Sequence, residues 1–417
     1  MSGHNAPDKV WRMVRYDAAI IGAGSNGLAS AAALAGAGLK TLAVERADRC
    51  GGRCATRAFH PGFRASPFCD EIAPIPAAIF RALDLARHGA IFDSVPAVPD
   101  AAILARGFAD AAKPAERGWF ARVPELVPWP GGARAPNGGS GMTMGGLGTL
   151  AQALEKSARA AGAEISLGLE VADIRLAKNR VTGLRLADGT EIEARAVIST
   201  LDLRRTFFSL FAWKDLPKSV TGRVSAWRDA ASTARMLLAL EAPPEGMSAA
   251  PLALDGDPAA HAAWLARTMP EHPPLSLRLV SARDPSLAPQ GRATLTVTIG
   301  DIPHHLFDGP WTNEKRSALK ARVLADIEAA GIALKVLASE LILPPDIEEQ
   351  LGVTEGDLDG GELSPDQMLG FRGFAEHQGG RTPIEGLYLG GRSSPLGPFA
   401  SCAAGVAASR ALMADRA

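Results

Sequence analysis

Hydrophobic and polar positions follow a regular order near the start of the chain. An apolar run, Ala18–Ile21, leads into a glycine-rich stretch at 22–27. Small residues at helical spacing follow over 28–35, and a second apolar run, Thr41–Val44, ends at Glu45. Short apolar runs bounded by turn residues are typical of buried parallel strands. The pattern therefore predicts a strand, a closely packed helix and a second strand.

The glycine-rich stretch has the spacing G-x-G-x-x-G. In a strand–turn–helix unit, Gly22 permits a tight turn, Gly24 lets the backbone approach a pyrophosphate, and Gly27 lets helix and strand pack closely. The N-terminus of the helix then faces the phosphates, and Glu45 can accept hydrogen bonds from ribose hydroxyls. We therefore predict a dinucleotide-binding unit, whose phosphate-binding residues are Gly22, Gly24, Ser25, Asn26 and Gly27.

The middle and the end of the chain repeat the buried-strand pattern. Residues 181–186 alternate between apolar and polar, turn at an Asp-Gly pair, and continue in Glu191–Ala194, which predicts a hairpin. The other elements predicted here are a helix over 151–161, strands over 196–200 and within 382–391, and a helix over 402–412.

Between these parts lies a stretch with a different organisation. Apolar runs there predict an antiparallel sheet, and residues 314–330 show helical apolar spacing. Two proline-rich segments are interpreted as loops. The predicted strands are Ala234–Leu240, 275–280 and Ala293–Ile299, and the predicted loops are 242–256 and 268–274.

A glycine pair followed by arginine, Gly51-Gly52-Arg53, comes six residues after Glu45. With this continuation, the chain resembles the FAD-binding fingerprint of the flavin amine oxidase and phytoene desaturase superfamily. The residues at 56–64, TRAFHPGFR, resemble its carotenoid desaturase and isomerase branch. The segments 144–150, 361–367 and 382–391 are similar to later motifs of the same branch, so the resemblance covers most of the chain.

The resemblance implies FAD as the cofactor and a dehydrogenase, oxidase or desaturase activity. It implies that no single protein side chain carries the chemistry, with Phe68, Cys69 and Phe399 as candidates to lie near the flavin. The electron acceptor it implies is oxygen or a quinone. The cofactor-binding residues that it adds are Glu45, Arg46, Gly52, Arg53, Val171, Gly390, Gly391, Arg392, Phe399 and Ala400.

The expected fold class is α/β. It combines a Rossmann-like FAD-binding domain of the glutathione-reductase type with an interleaved α+β substrate domain that contains an antiparallel sheet. We assign residues 14–65, 140–205 and 380–417 to the FAD-binding domain. Residues 66–139 and 206–379 are assigned to the substrate domain.

Composition narrows the class of protein further. A formal net charge of -1 and the absence of a basic run give no reason to expect a nucleic-acid partner. No apolar stretch approaches the roughly 20 residues of a membrane span, and no signal peptide is recognised, so we expect a cytoplasmic protein. Peripheral membrane contact and oligomerisation stay open.

The interval from Cys69 to Met142 is shorter than in the family, whose members carry a long helical block there. A shortened block changes the wall of the substrate channel. We therefore expect a mainly apolar small molecule as substrate without transferring the carotenoid itself. A smaller substrate, a more open cleft and a site completed by another subunit are three interpretations that the sequence leaves open.

Other functional classes are kept as alternatives. A flavin amine oxidase is disfavoured because the chain has only two tyrosines, Tyr16 and Tyr388, and both fall in predicted strands of the FAD-binding domain. A tailoring oxidase acting on a peptide- or carrier-bound substrate is allowed by the shortened block. A flavoprotein with structural FAD that acts as a binding partner is the third alternative.

Cysteines and histidines offer two further candidate sites. Cys50 and Cys54 have C-x-x-x-C spacing, which allows a redox pair or a covalent flavin link, but we favour two small residues in a loop pressed on the cofactor. The pair His304-His305 lacks partners at metal-ligand spacing, so we expect a loop role and no metal.

Overall fold

The computed structural model describes residues 15–73, 75–92, 141–229, 233–368, 371–374, 376–398 and 401–416. The strands in these ranges are β1 (Arg15–Tyr16), β2 (Ala18–Ile21), β3 (Thr41–Val44), β4 (Arg57–His60), β5 (Phe63–Ala65), β6 (Glu164–Ser166), β7 (Val171–Ala177), β8 (Arg180–Leu186), β9 (Glu191–Ala194), β10 (Val197–Ser199), β11 (Ala234–Leu240), β12 (Leu252–Leu254), β13 (Leu275–Arg278), β14 (Ala293–Ile299), β15 (Val336–Ile342) and β16 (Leu387–Leu389).

The helices of the described ranges lie between and after these strands. They are α1 (Ser25–Gly36), α2 (Ala77–Ala82), α3 (Gly148–Ala160), α4 (Lys218–Ser225), α5 (Ala260–Leu265), α6 (Val280–Arg283), α7 (Asn313–Ala329), α8 (Pro344–Leu351) and α9 (Ala403–Arg416).

A parallel sheet in the order β16-β10-β2-β3-β6 forms the centre of the first region. Strands β2, β3 and β10 are buried along their whole length, as their nearly continuous apolar sequences predict for strands covered on both faces. Val197 pairs with Ala19 on one side and with Leu387 on the other, so segments far apart in sequence meet side by side.

One face of this sheet is covered by α1, α3 and α9, and the other by the four-stranded sheet β1-β9-β8-β7. Small residues in the helices allow close contact, since a Cβ on Gly405 of α9 would lie 2.0 Å from the carbonyl oxygen of Asn26 in α1. The three layers confirm the expected Rossmann-like α/β fold.

A second, five-stranded sheet runs in the order β12-β13-β14-β11-β15 with antiparallel pairing. The inner strand β11, between β14 and β15, is buried at all seven positions. Helix α7 packs on this sheet through Leu319, Val323 and Ile327, which the helical spacing had predicted as its apolar face. The antiparallel sheet of the expected fold is therefore confirmed.

Three local predictions in this sheet were wrong or incomplete. Residues 242–256 were interpreted as a loop, but they contain β12, an edge strand that pairs only with β13 and tolerates nearby proline for that reason. Strand β15 was missed because its mixed sequence is exposed at one end and half-buried in the middle. The strand predicted over 275–280 ends at Arg278, and Val280 begins α6.

Within the described ranges, no helix has the length and apolar character needed to cross a membrane.

Candidate functional site

The turn between β2 and α1 has the geometry of a phosphate-binding loop. Gly22 has a φ of +97°, which an L side chain rarely adopts, and a Cβ on Gly27 would lie 1.9 Å from the carbonyl oxygen of Gly22. Gly24 differs, because a Cβ there would meet no atom within 4 Å. Gly22 and Gly27 are therefore required by the fold itself, whereas Gly24 borders open space at the mouth of the turn.

Helix α1 begins at this turn with Gly24 as its N-cap. No side chain caps the first turn and no acidic residue lies in it, so the N–H groups of its first residues, Ser25, Asn26 and Gly27, remain available for an anion. The Oδ1 atom of Asn26 is buried and has no hydrogen-bond partner among the described residues. An electropositive helix end beside open space is what a pyrophosphate requires.

Glu45 lies directly against the same turn. Its Oε2 atom accepts a hydrogen bond of 2.7 Å from the Ala23 N–H, and its Oε1 atom accepts one of 2.9 Å from the Ala47 N–H. The Leu169 N–H donates to the Glu45 carbonyl at 2.9 Å, which brings the start of β7, Val171, to the edge of the site. These hydrogen bonds hold the Glu45 carboxylate against the phosphate-binding turn.

Arg46 points away from this turn. Its Nη2 atom donates to the carbonyl oxygen of Glu349 at 2.6 Å, near the C-terminal end of α8. A cation at a helix C-terminus interacts favourably with the exposed carbonyl groups. The structure therefore does not bring Arg46 together with the other predicted cofactor residues.

The loop with the glycine pair lies against the phosphate-binding turn. The Gly51 N–H donates to the Ala23 carbonyl at 2.9 Å, and Gly51 forms a bridge with Gly24. Gly51 and Gly52 have φ values of +125° and +52°, a conformation that favours glycine at both positions. These two glycines place the half-buried Arg53 beside the turn.

Arg53 and Arg392 converge on one carboxylate. Arg53 donates to the Leu358 carbonyl, and Arg392 donates to the Asp359 carboxylate. Burial alone would raise the pKa of Asp359, but the charges of Arg392 and Arg53 outweigh it and lower that pKa. The Nε atoms of both arginines are buried without a hydrogen-bond partner among the described residues. Two guanidinium groups therefore lie close to one carboxylate next to the glycine-rich turn.

The C-terminal predictions fall at the end of β16. A Cβ on Gly390 would lie 2.7 Å from the Ile198 side chain, and one on Gly391 would lie 2.5 Å from the Thr200 carbonyl oxygen. Both glycines therefore let the chain pass the end of β10 before reaching α9. The predicted residues Phe399 and Ala400 lie outside the described residues.

Phe68 lies at the seam, the place where the segment after the hairpin β4–β5 packs on the antiparallel sheet. It packs with Leu237 of β11 and Ile342 of β15, and the half-buried Val353 and Leu358 extend this apolar cluster. Cys69 is half-buried next to it, and its Sγ atom lies 3.3 Å from the Arg53 carbonyl oxygen. Phe68 and Cys69, the two near-flavin candidates that the structure describes, therefore lie next to the loop 51–53, which carries Arg53.

Charged groups at the same seam are paired. Asp70 accepts hydrogen bonds from Arg235 at 2.6 Å and from Thr296 at 2.8 Å. Burial alone would raise the pKa of Asp70, but the Arg235 charge and hydrogen bond outweigh it and lower that pKa. Glu71 binds both Arg278 and Arg283. These ion pairs border a cavity of about 10 Å³, with room for about one water molecule.

Sequence analysis missed Asp359 and Arg372. Arg372 is fully buried and lies over the Trp227 ring at 5.3 Å. Its guanidinium donates to five backbone carbonyl groups, those of Asp359, Gly361, Glu362, Gln367 and Arg392. The only sequence signal was the resemblance of 361–367 to a family motif, and that motif assigns neither residue a role.

The geometry fits a dinucleotide cofactor. Open space at Gly24, an uncapped helix N-terminus and the unpartnered Nε atoms of Arg53 and Arg392 lie on neighbouring segments. An extended polyanion would satisfy these groups together.

Comparison with known proteins agrees with this geometry. The family model described as FAD dependent oxidoreductase matches residues 17–236. A curated relative, pyridine nucleotide-disulfide oxidoreductase domain-containing protein 2 of Mus musculus, is 27% identical over 308 residues, which cover 68% of this chain and 53% of the relative. The 4,4'-diaponeurosporene oxygenase of Staphylococcus haemolyticus is 26% identical over 235 residues, which cover 55% of this chain and 46% of the relative. The chain thus spans about half the length of these relatives.

Solved structures share the fold over nearly the whole chain. An oxidoreductase from Methanosarcina mazei has a TM-score of 0.58 and 18% identity, covering 96% of this chain and 99% of that chain. Cyclohexylamine oxidase from Brevibacterium oxydans has a TM-score of 0.56 and 16% identity, covering 96% and 98%. The family match spans more than half of the 417 residues, and the chain therefore belongs to the FAD-dependent oxidoreductase family.

Proposed function

We propose that this FAD-dependent oxidoreductase removes a hydride from a C–H bond of a mainly apolar small molecule. The observation that carries the proposal is the cofactor cradle, in which open space at Gly24 lies beside an uncapped helix N-terminus and two half-buried arginines, Arg53 and Arg392, whose Nε atoms are buried. When bound, the flavin supplies the hydride acceptor at N5. The proposed acceptor for the electrons is oxygen or a quinone.

The proposed cofactor residues have separate tasks. Residues 24–27 bind the pyrophosphate, Glu45 binds the ribose, and the edge at Val171 accommodates the adenine. Arg53 and Arg392 supply positive charge, which favours negative charge on a neighbouring ring. The carboxylate between them, Asp359, fixes both guanidinium groups by attraction.

An apolar substrate is supported by the described part of the seam. Phe68, Leu237 and Ile342 pack together there, with Val353 and Leu358 half-buried at the margin of the cluster. Apolar walls desolvate an apolar substrate and hold it by area burial, at about 25 cal/mol per Å². Ligand sites also favour domain interfaces. We therefore propose that the substrate binds at this seam, between the FAD-binding and substrate domains assigned from the sequence.

Charge at the seam argues against a cationic amine. Two carboxylates, Asp70 and Glu71, face three arginines, Arg235, Arg278 and Arg283, among the described residues. The carboxylates are thus neutralised by their own partners. Neither is left to pair with an ammonium group, so a flavin amine oxidase is the weaker proposal.

The chain contributes positioning more than proton transfer. The carboxylates at the seam are ion-paired, and a lowered pKa keeps Asp70 ionised, so it is a poor general acid at neutral pH. The proposed contribution of the protein is to hold the donor carbon and the acceptor roughly 3–3.5 Å apart and to exclude water.

The test separates cofactor binding from substrate choice. The purified protein is heated, and the released cofactor is identified by chromatography and mass. The flavoprotein is then mixed anaerobically with apolar polyenes, with primary amines and with carrier-bound acyl or peptidyl groups, and the loss of oxidised-flavin absorbance is recorded.

The proposal expects FAD and rapid bleaching by an apolar compound. Bleaching by amines alone would establish the amine oxidase alternative, and bleaching by carrier-bound compounds alone would establish the tailoring alternative. FAD that no class of compound reduces would favour a structural flavin. A Gly24→Val protein serves as the control that lacks flavin.

A further inference from the structure

The hairpin β4–β5 brings two cysteines together that are far apart in sequence. Arg57 pairs with Ala65, and one step beyond this pair the hydroxyl groups of Thr56 and Ser66 lie 2.8 Å apart. Cys54 precedes this rung on one strand, and Cys69 follows it on the other. Both side chains belong to one apolar cluster, and the Cys69 Sγ atom lies 3.3 Å from the carbonyl oxygen of Arg53, the residue next to Cys54.

The two sulfur atoms have different environments. Cys69 is half-buried and its Sγ atom lies 3.3 Å from the Arg53 carbonyl oxygen, whereas Cys54 is only 4% exposed. The hydrogen bond from Cys54 lowers the pKa of Cys69 to about 7 despite its burial, with help from the Arg53 charge. The same hydrogen bond, together with burial, raises the pKa of Cys54. Cys69 is therefore the nucleophile of the pair, and Cys54 is the sheltered partner.

The other cysteines lack this arrangement. Burial and the carboxylate of Glu155 raise the pKa of Cys50 to about 12. Burial raises the pKa of Cys402 to about 12, and its side chain is fully buried. The position of Cys69 at the Arg53 carbonyl makes it a better candidate partner for Cys54 than Cys50, the partner that the C-x-x-x-C spacing suggests.

We propose that Cys54 and Cys69 form a reversible redox pair that a low-molecular-weight disulfide closes to a protein disulfide. The Cys69 thiolate attacks one sulfur of the small disulfide and expels a thiolate, which leaves a mixed disulfide on Cys69. The Cys54 thiol loses its proton and attacks the Cys69 sulfur, which expels the second thiolate. The protein loses two electrons and two protons, and the small disulfide is reduced to two thiols.

The crosslink acts on the proposed cofactor loop. It ties Cys54, next to Arg53, to the segment that carries Phe68 and Asp70. It also removes the hydrogen bond from the Cys69 thiol to the Arg53 carbonyl. When the disulfide is closed, the loop 51–53 is tied to the segment that carries Cys69, and when it is open, the loop is free of this crosslink. This holds whichever substrate the enzyme oxidises.

Trypsin makes the pairing directly readable. Arginines at 49, 53, 57, 64 and 81 place Cys50 in peptide 50–53, Cys54 in 54–57 and Cys69 in 65–81. The native flavoprotein is incubated with oxidised glutathione, its remaining thiols are alkylated, and it is digested without reductant. The proposal expects peptides 54–57 and 65–81 to be linked and to separate after addition of dithiothreitol. A link between 50–53 and 54–57, or no link from native protein, would overturn it.

Variants distinguish the two roles. Cys54→Ser should accumulate glutathione on peptide 65–81, because the mixed disulfide cannot be resolved, and Cys69→Ser should leave Cys54 unmodified. Cys50→Ser is the matched control and should close the disulfide as the wild type does. Iodoacetamide should alkylate Cys69 at a rate that rises with pH through about 7. A Cys69 rate that is still rising steeply at pH 9, the ordinary range of a thiol, would contradict its assigned role.

Discussion

At the scale of single residues, glycines in one turn are required for different reasons. Gly27 has no room for a Cβ, because the Gly22 carbonyl oxygen occupies its position at 1.9 Å. Gly24 has ordinary helix-cap backbone angles, and a Cβ there would meet no atom within 4 Å. The first requirement belongs to folding, and the second points to a ligand that the cradle holds.

The first prediction concerns this open space. Gly24→Val should leave the melting temperature of the flavin-free protein nearly unchanged and remove most of the bound FAD, because the new side chain fills the space of the pyrophosphate. Gly222→Val is the matched control. A Cβ on Gly222 also meets no atom within 4 Å, but this residue lies at an exposed position of α4. Equal flavin content in both variants, measured by absorbance ratio, would contradict the placement.

Glu45 carries the second prediction. Glu45→Ala removes the acceptor of the Ala23 and Ala47 N–H groups as well as the proposed ribose partner. We expect FAD affinity to fall by about 1–3 kcal/mol, the range for a lost charged hydrogen-bond partner. Glu45→Gln keeps one acceptor oxygen and should lose less. Titration of flavin-free protein with FAD gives both values, and equal affinities for all three proteins would exclude the role.

At the scale of elements, one buried arginine organises the segment before the last strand. Arg372 binds five carbonyl groups and lies over Trp227, and burial lowers its pKa to about 10. The segment 357–367 has little regular structure of its own, so its backbone depends on this side chain. Through Asp359 and the Arg392 carbonyl, the same contacts reach the proposed flavin site.

The third prediction follows from these contacts. Arg372→Met should lower the free energy of unfolding by at least about 3 kcal/mol, because several buried carbonyl groups lose their donor and each costs about 1–3 kcal/mol. Arg223→Met is the control, since Arg223 lies over the same Trp227 ring at 5.3 Å but is half-buried and donates to two carbonyl groups, those of Phe371 and Gly373. Urea unfolding should show a much smaller loss for the control, and equal losses would argue against the carbonyl contacts.

At the scale of the whole molecule, buried ion pairs join the segment after the hairpin β4–β5 to the antiparallel sheet. Asp70 follows the hairpin β4–β5, and its partner Arg235 lies 165 positions later on β11. Their side chains are only 7% and 3% exposed. Such a pair is weak support for stability as a whole, but losing one partner leaves an uncompensated buried charge.

The fourth prediction is the effect of this pair on stability and pH. Asp70→Asn should cost about 3–5 kcal/mol at neutral pH, the range for breaking a buried pair from one side. The native pKa of Asp70 lies below its usual value of 3.8, so the unfolded state binds the proton first. The contribution is therefore complete above about pH 4 and is lost as the pH falls through the native pKa.

Unfolding curves at a series of pH values check both parts. The difference between wild type and Asp70→Asn should shrink only in acid. Asp308→Asn is the control, because Asp308 forms an exposed pair with Lys315 and should change neither the stability nor its pH dependence measurably. A constant difference between wild type and Asp70→Asn down to the lowest pH would refute the linkage.

Most of the dinucleotide-binding unit could be predicted from the sequence. Strands Ala18–Ile21 and Thr41–Val44 were predicted with the bounds that the structure shows, and α1 was found within three residues of its start. The edge strands β12 and β15 could not be predicted in the same way. An edge strand pairs on one side and is partly exposed, so it needs neither a long apolar run nor strict alternation.

The sequence by itself predicted the dinucleotide-binding unit and its glycine positions, because these depend on local spacing within one turn and its flanking elements. The family and the FAD cofactor followed from the resemblance of its motifs to those of known flavoproteins. Tertiary structure decided the pairings across long separations. The Cys69 Sγ atom lies against the Arg53 carbonyl next to Cys54, Asp359 lies between two arginines, and Arg46 contacts the end of α8 instead of the cofactor turn. These contacts arise when separate segments pack together, and local spacing in a single sequence does not specify which partner a side chain reaches.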